Sequence, residues 1–448
     1  MSPNESFQLV VLGGGPGGYA AAFLGADLGL KTAIVDVEEN PGGVCLYRGC
    51  IPSKALLHVA KVLHEAEAAR AMGIEFGPPR IDVDAVRSWK EGVVKKLTGG
   101  VGQVAKFRKV TFVRGYGTFK DAHALSVKLA SGDTQEIRFD HCIVATGSRP
   151  ATIPFFKSDS ARVLDSTSAL DLREIPKTLL VVGGGYIGLE LGSVYASLGA
   201  QVSVVEMMPG LLPGADRDLV AVLEKRISKS FARIMVDTKV TAAKETSDGV
   251  SVTFDGATKE SIVYHKVLVS VGRKPNSSGF GLENTKVRVN DRGFIEVDAQ
   301  RRTHEPNIFA IGDVTGDPML AHKASHEGRV AAEVIAGHKV AFEPNAIPAV
   351  IFTDPEIAWC GLTETQAKER GVEVAVAKFP WGASGRAMSI ERTDGLTKLV
   401  IDPKTERVLG VGIAGVGAGD MISEGVLAIE MGATAADVKL SIHPHPTL

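Results

Sequence analysis

Two strand–turn–helix segments, each followed by a strand that ends in an acid, constrain this 448-residue chain more than any other feature. In the first, the apolar run Gln8–Leu12 meets Gly13-Gly14-Gly15-Pro16-Gly17-Gly18 and then the alanine-rich stretch Tyr19–Leu28. The pattern predicts a buried strand, a tight turn and a helix, then a strand over Thr32–Val35 with Asp36 at its end. In such a turn Gly13 permits the bend, Gly15 lets a pyrophosphate approach the backbone, and Gly18 lets helix and strand pack closely. Asp36 stands where a carboxylate accepts a hydrogen bond from a ribose hydroxyl. The same order recurs in Thr178–Val182, Gly183-Gly184-Gly185-Tyr186-Ile187-Gly188, Leu189–Leu198 and Gln201–Val205, ending at Glu206. From last glycine to acid both copies count 18 positions, Gly18 to Asp36 and Gly188 to Glu206. Glycine-rich packing without a ligand would have to arise twice with matching acids, so both turns read as dinucleotide sites. Glu206 is followed by Met207 and Met208 rather than an arginine, which favours NAD over a cofactor carrying a 2′-phosphate.

The second informative stretch is Gly-Gly-Val-Cys-Leu-Tyr-Arg-Gly-Cys-Ile-Pro-Ser-Lys, residues 42–54, which runs into a helical pattern over Ala55–Ala69. Pro52 suits a first helical turn, where its missing N–H is no loss. Cys50 therefore stands at a helix start, where unpaired N–H groups and the macrodipole favour a thiolate. A structural disulfide fits poorly, because closing so short a loop removes little unfolded-state entropy. Zinc would need a second ligand pair, and His443 and His445 lie isolated at the far end. Cys45 and Cys50 are read as a redox couple, whereas Cys142 and Cys360 fall in apolar, strand-like segments.

Hydrophobic residues make up 44% of the chain and charged ones 23%, ordinary for a globular protein with substantial cores. A net charge of −2 gives no electrostatic footprint for nucleic acid or an anionic membrane. Met1–Gln8 is polar and leads straight into a strand, no apolar run has membrane-spanning length, and cysteines are few. Together these predict a chain without a secretory signal, in the reducing cytoplasm. A further run, Asn307 to Asp313, ends in glycine and an acid; it reads equally as a second dinucleotide contact or a core strand with a capping aspartate.

The motifs together resemble the pyridine nucleotide–disulfide oxidoreductases from Gln8 to Leu448. They are Gly13–Gly18, Gly42–Lys54, Ala145–Pro150, Gly183–Gly188, Val271–Asn276, Phe309–Asp313 and the terminal His445-Pro446-Thr447-Leu448. The resemblance implies FAD in the first nucleotide fold, touched by Gly13, Gly15, Gly18, Asp36, Lys54, Gly117, Asp313 and Ala321, with Lys54 paired to Glu190. It implies NAD in the second, touched by Gly183, Gly185, Gly188, Glu206, Val240, Gly272 and Arg273. Cys50 would be the sulfur beside the flavin and Cys45 the one that exchanges with substrate. His445 would be the catalytic base, supplied across a homodimer, with His443 a supporting or structural neighbour. The nearest branch oxidises protein-bound dihydrolipoamide with NAD⁺ and works with lipoyl domains and the core acyltransferase of 2-oxoacid dehydrogenase complexes. Alternatives are a disulfide or mercuric reductase using NAD(P)H, and a flavoprotein subunit that only docks.

Two departures stand out. Tyr47-Arg48 replaces the family's more usual Asn-Val, and Arg48 is expected to favour a thiolate at Cys45. The chain also stops at Leu448, two positions short of the family's glutamate that would orient the histidine. The fold expected is α/β, with two doubly wound nucleotide-binding domains and a C-terminal α+β dimerisation domain. The divisions read as 1–149 for the first part of the FAD domain, 150–271 for the NAD domain, 272–343 for the return segment and 344–448 for the interface. Within them Val110–Ile143 alternates like an antiparallel meander, His322–Ala336 and Glu424–Met431 read as helices, and Pro348–Trp359 as one strand.

Overall fold

Parallel strands buried on both faces need near-continuous apolar runs, and this chain supplies them at the first strand of each glycine segment. The computed structural model describes residues 4–157 and 159–448. Two compact units emerge: one from Met1–Pro52, Ser88–Ala151 and Arg273–Glu343, the other from Ser53–Arg87, Thr152–Gly272 and Pro344–Leu448.

In the first unit the strand Asn4–Leu12 pairs in parallel with Thr32–Asp36 on one side and Thr134–Val144 on the other. Thr32–Asp36 continues to the long strand Thr111–Asp121, whose second half turns antiparallel onto Ala124–Leu129, which returns to Thr134–Val144. That is the expected meander, and it bends the sheet back on itself. The strand Ile308–Ala310 joins Thr134–Val144 from a distant part of the chain. The helix Pro16–Asp27 lies against Ala321–Ile335, and this contact is backbone-close. A Cβ on Gly17 would sit 2.8 Å from the carbonyl oxygen of Ala324, and one on Gly328 would sit 2.5 Å from that of Gly17.

The second unit holds a parallel sheet in the order Arg233–Met235, Gln201–Val205, Thr178–Val182, Lys266–Val269, Val163–Leu164. Leu179, Leu180 and Val181 are fully buried. A three-stranded antiparallel sheet, Thr238–Glu245 to Ser261–Tyr264, follows. The unit also carries a five-stranded antiparallel sheet built from the last hundred residues.

Several boundaries differ from the sequence expectation. Pro348–Trp359 is two strands, Ala349–Ile351 and Glu356–Gly361, because Asp354-Pro355 turns the chain where proline has no N–H for a ladder. The helix read as Glu424–Met431 starts at Ala418, after Gly417 in the left-handed region, and Glu356 accepts a hydrogen bond from the N–H of Gly419. The helix read from Ala55 begins at Cys50, so Pro52 falls inside its first turn.

One cluster ties the C-terminal sheet of the second unit to the helix Arg217–Ile227. Asp216 accepts hydrogen bonds from the N–H groups of Glu364 and Thr365, at the start of the helix Glu364–Arg370. Asp216, Asp218 and Glu364 are grouped closely enough to resemble a cation site. Lys398 fills it instead, its ammonium 2.6, 2.9 and 2.7 Å from the three carboxylates and its side chain 2% exposed. Burial opposes charge on Lys398, but hydrogen bonds from its ammonium to the three acids outweigh it and its pKa is raised. The contribution of Lys398 is thus complete below the ordinary lysine range and lost only as pH rises through the raised value. We expect Lys398→Met to destabilise this unit by about 3 kcal/mol by stranding the buried carboxylate of Asp216, while Lys378 still pairs with Asp218 and Glu364, read as a lower urea midpoint with an unchanged slope.

Candidate functional site

The two glycine turns are built alike. Gly13 has φ +109°, its N–H bonds to the carbonyl of Val35 at 2.9 Å, and a Cβ there would lie 2.3 Å from the carbonyl oxygen of Ala145. Gly183 has φ +106°, its N–H bonds to the carbonyl of Val205 at 2.9 Å, and a Cβ would lie 2.5 Å from that of Ser270. Gly18 and Gly188 press onto the carbonyls of Gly13 and Gly183, leaving no room for a side chain. Gly15 and Gly185 begin their helices without a side-chain cap, and nothing lies within 4 Å of a Cβ built on Gly185. Uncapped first-turn N–H groups beside open space form a cradle for a pyrophosphate.

Each strand-end acid is held by two backbone donors. Asp36 accepts from the N–H of Gly14 and, at 2.9 Å, from that of Glu38. Glu206 accepts from Gly184 at 2.7 Å and from Met208 at 2.9 Å. Every carboxylate oxygen keeps a second lone pair for a ribose hydroxyl. Burial raises the pKa of Asp36; the N–H of Gly14 and the positive charge of Arg48 oppose it.

Cys45 lies in the short helix Gly43–Arg48 and Cys50 opens the next, Cys50–Ala68. A Cβ on Gly43 would come 2.5 Å from the Cα of Gly15, so the cysteine helix sits directly on the first turn. Tyr19, in the helix after that turn, has its hydroxyl pKa raised by burial and then by the charges of Cys45 and Cys50. Both sulfurs therefore act on one point of the first nucleotide fold. Cys45 is half-buried and Cys50 exposed in the single chain. Cys142 and Cys360 are buried strand residues; burial pushes the Cys360 thiol up to about 12 and that of Cys142 higher, which leaves both unreactive.

In the second unit Lys54 reaches Glu190 at 2.8 Å. Glu190 is buried, and it also accepts from the hydroxyl of Ser53 and the N–H of Phe352. The Lys54 ammonium stands 4.4 Å over the Phe352 ring. In the first unit Ser148 donates to Asp313, and the guanidinium of Arg273 donates to the hydroxyl and carbonyl of Ser148 at 2.7 and 2.8 Å. Arg273, read with the NAD contacts, has its side chain here, 4.0 Å from the expected flavin contact Asp313. The motifs Ser148–Pro150 and Arg273–Pro275 pair as antiparallel strands, which explains why both carried signal. Ala321 opens the helix that packs on the first glycine helix. A Cβ on Gly117 would meet the Leu12 methyl at 2.8 Å, so a side chain there would have to push that leucine aside. Val240 lies half-buried at a bulge in the strand Thr238–Glu245, and Gly272 has φ +112° in an open turn.

His445 is exposed. His443 bonds Glu424 at 2.6 Å, and that hydrogen bond and charge raise its pKa. Arg48 pairs its guanidinium with Glu38 and acts on Asp36, on the side of the strand-end acid.

The family model described as "Pyridine nucleotide-disulphide oxidoreductase" matches residues 7–328, and its dimerisation domain matches 347–448. The chain belongs to the pyridine nucleotide-disulphide oxidoreductase family. It is 52% identical over 100% of its length to a dihydrolipoyl dehydrogenase of Haemophilus influenzae, of which it covers 94%. It is 48% identical over 98% of its length to one of Geobacillus stearothermophilus, covering 93% of that protein. The crystal structure of LpdA from Mycobacterium tuberculosis superposes with a TM-score of 0.92 at 27% identity, over 99% of this chain and 97% of that one. The flavoprotein disulfide reductase RclA from Escherichia coli, in a Cu(II) complex, gives 0.87 at 27% identity, over 98% and 97%.

Sequence reasoning missed two features of this oxidoreductase. Glu327 is fully buried, bridges Arg301 and Lys323 at 2.9 and 3.1 Å, and accepts from the N–H of Gly312 at 2.6 Å, next to Asp313. The signal was present: charged residues at 323 and 327 on a helix whose other inward positions are alanine, glycine and valine. Phe352 beneath Lys54 had no signal, being distant in sequence. Two measurements check the geometry. Gly183→Ala, placed in a left-handed turn against a carbonyl, should reduce NAD⁺ affinity at least tenfold in a titration while flavin content stays unchanged. In histidine NMR titrations, Glu424→Gln should bring the midpoint of His443 down to the ordinary imidazole range of about 6.5.

Proposed function

We propose that this chain oxidises protein-bound dihydrolipoamide to lipoamide with NAD⁺, as the dihydrolipoyl dehydrogenase component of 2-oxoacid dehydrogenase complexes. What carries the reading is the identity of about half of all residues, over the whole chain, with relatives curated as dihydrolipoyl dehydrogenases. The residues fit the two cofactors: two uncapped glycine cradles, each with an acid placed for a ribose. Gly13, Gly15, Gly18, Asp36, Gly117, Asp313, Ala321 and Lys54 would hold FAD, and Gly183, Gly185, Gly188, Glu206, Val240 and the Gly272-Arg273 turn would hold NAD. Glu206, a carboxylate held by the N–H groups of Gly184 and Met208, speaks for NAD⁺ over a cofactor with a 2′-phosphate, and so against the NADPH-driven reductases.

The protein steps are thiol–disulfide exchange. His445 of a second copy accepts a proton from one thiol of the substrate. The resulting thiolate attacks the Sγ of Cys45 in the Cys45–Cys50 disulfide, and Cys50 leaves as a thiolate. The second substrate thiol gives up its proton to the departing Cys45 sulfur and attacks the first substrate sulfur in the mixed disulfide, closing the lipoamide ring and releasing Cys45 as a thiol. The substrate is oxidised by two electrons and the cysteine pair reduced by two. FAD, when bound, supplies the route by which that electron pair reaches NAD⁺ as a hydride. Glu190 and Phe352 hold the Lys54 ammonium in place. The cytoplasm is the proposed site of action; among the described residues no helix is long and apolar enough to cross a membrane. A homodimer through 344–448, joined to lipoyl domains and the core acyltransferase, is the proposed assembly, with the domain divisions given above.

Turnover of dihydrolipoamide with NAD⁺, followed as NADH absorbance, tests the reading. Cys45→Ser should lose at least a thousandfold in this turnover while retaining flavin. A wild-type protein with full flavin and no turnover, or a Cys45→Ser variant that turns over normally, would sink the proposal.

A further inference from the structure

The six residues from Cys45 to Cys50 hold one feature that the reaction above does not use. Tyr47 and Arg48 both reach back to the loop that follows Asp36. The hydroxyl of Tyr47 accepts from the N–H of Asn40 and donates to its carbonyl, each at 3.1 Å. Arg48 pairs with Glu38. The N–H of Glu38 in turn donates to Asp36, whose other oxygen accepts from Gly14. The N–H of Gly42 closes the circuit on the carbonyl of Gly14 at 2.7 Å. Packing leaves this loop little freedom: a Cβ on Gly102 would lie 2.1 Å from the Asn40 side-chain oxygen, and one on Gly42 would lie 3.0 Å from the Tyr47 ring. Phosphate turn, ribose acid and cysteine helix are thus joined in one ring of polar contacts.

We infer that Arg48, clamped beside Tyr47, is a positioning residue for the adenosine half of the flavin dinucleotide, acting through Glu38 on Asp36. The inference rests on the reading of the first turn as the FAD site. Arg48 does not touch the cofactor in this account. Its pair with Glu38 fixes the N–H that Asp36 needs, and its positive charge favours the ionised carboxylate that accepts from a ribose. Both effects act on the adenosine end, remote in the sequence from the nicotinamide turn at Gly183.

The test uses the full-length holoenzyme and R48V, R48K and E38Q. FAD affinity is read from the fluorescence of flavin released on dilution, and NAD⁺ affinity by titration of the same preparations. R48V should hold FAD about fivefold more weakly, the size expected for a partly exposed ion pair. R48K should recover most of the loss, and NAD⁺ affinity should not move. E38Q should weaken FAD in the same direction, and it carries the test if R48V does not fold. A residue that merely supports the fold would lower the melting temperature without changing FAD affinity, and that result overturns the proposal. So does an equal loss in R48K and R48V. A wild-type protein that binds no flavin overturns the functional reading and this proposal with it. A flavin-loaded wild type whose R48V and E38Q variants bind FAD equally well overturns the proposal alone.

Discussion

The contact between a glycine and a carbonyl oxygen underlies both nucleotide folds. Gly18 would place a Cβ 1.9 Å from the oxygen of Gly13, and Gly188 would place one 2.3 Å from that of Gly183. No side chain survives such a distance, so helix and turn meet backbone to backbone. That approach aims the helix start at the space where a pyrophosphate fits, and it sets where the following strand ends and hence where its acid stands. Substituting either pair would displace the helix rather than remove one contact. The repetition of the arrangement makes two sites from one solution to a packing problem.

Buried carboxylates then fix what the glycines leave loose. Asp36 and Glu206 each take two backbone N–H groups, Glu190 takes an ammonium, a hydroxyl and an N–H, and Glu327 takes two cations and the N–H beside Asp313. A buried carboxylate with one partner removed is destabilising by several kcal/mol, so Glu190, Glu206 and Glu327 each hold their neighbours in a single arrangement, and half-buried Asp36 does so less tightly. They are structural pins, and all four bond to, or beside, a residue expected to touch a cofactor. Asp216 serves the same purpose away from the site, where Lys398 occupies the space a cation would need.

How much of this was legible depended on sequence distance. The turns, the acids and the cysteine helix were readable because each is a local pattern whose physics lies within about thirty residues. The pairing of Lys54 with Glu190 was available only through family resemblance, since nothing near either residue announces the other. Arg273 shows the limit: its motif was recognised and its backbone turn located, but its side chain goes to Ser148 and Asp313, a choice made by tertiary packing. The pairing of Arg48 with Glu38 was hidden for the same reason, because a long guanidinium reaches whichever acid the fold brings near. The split of Pro348–Trp359 into two strands was in the sequence all along, in Asp354-Pro355, where alternation alone was the weaker signal.

The helix Pro16–Asp27 finds its partner only at Ala321–Ile335, and the strand Thr134–Val144 is joined by Ile308–Ala310. During synthesis at roughly 5–20 residues per second, the nascent first unit would wait on the order of tens of seconds for those segments to leave the ribosome. Until then Gly17 and Ala21 would face water or a chaperone. The unit whose glycine turn is made first therefore cannot close until the helix ending at Ile335 has been synthesised.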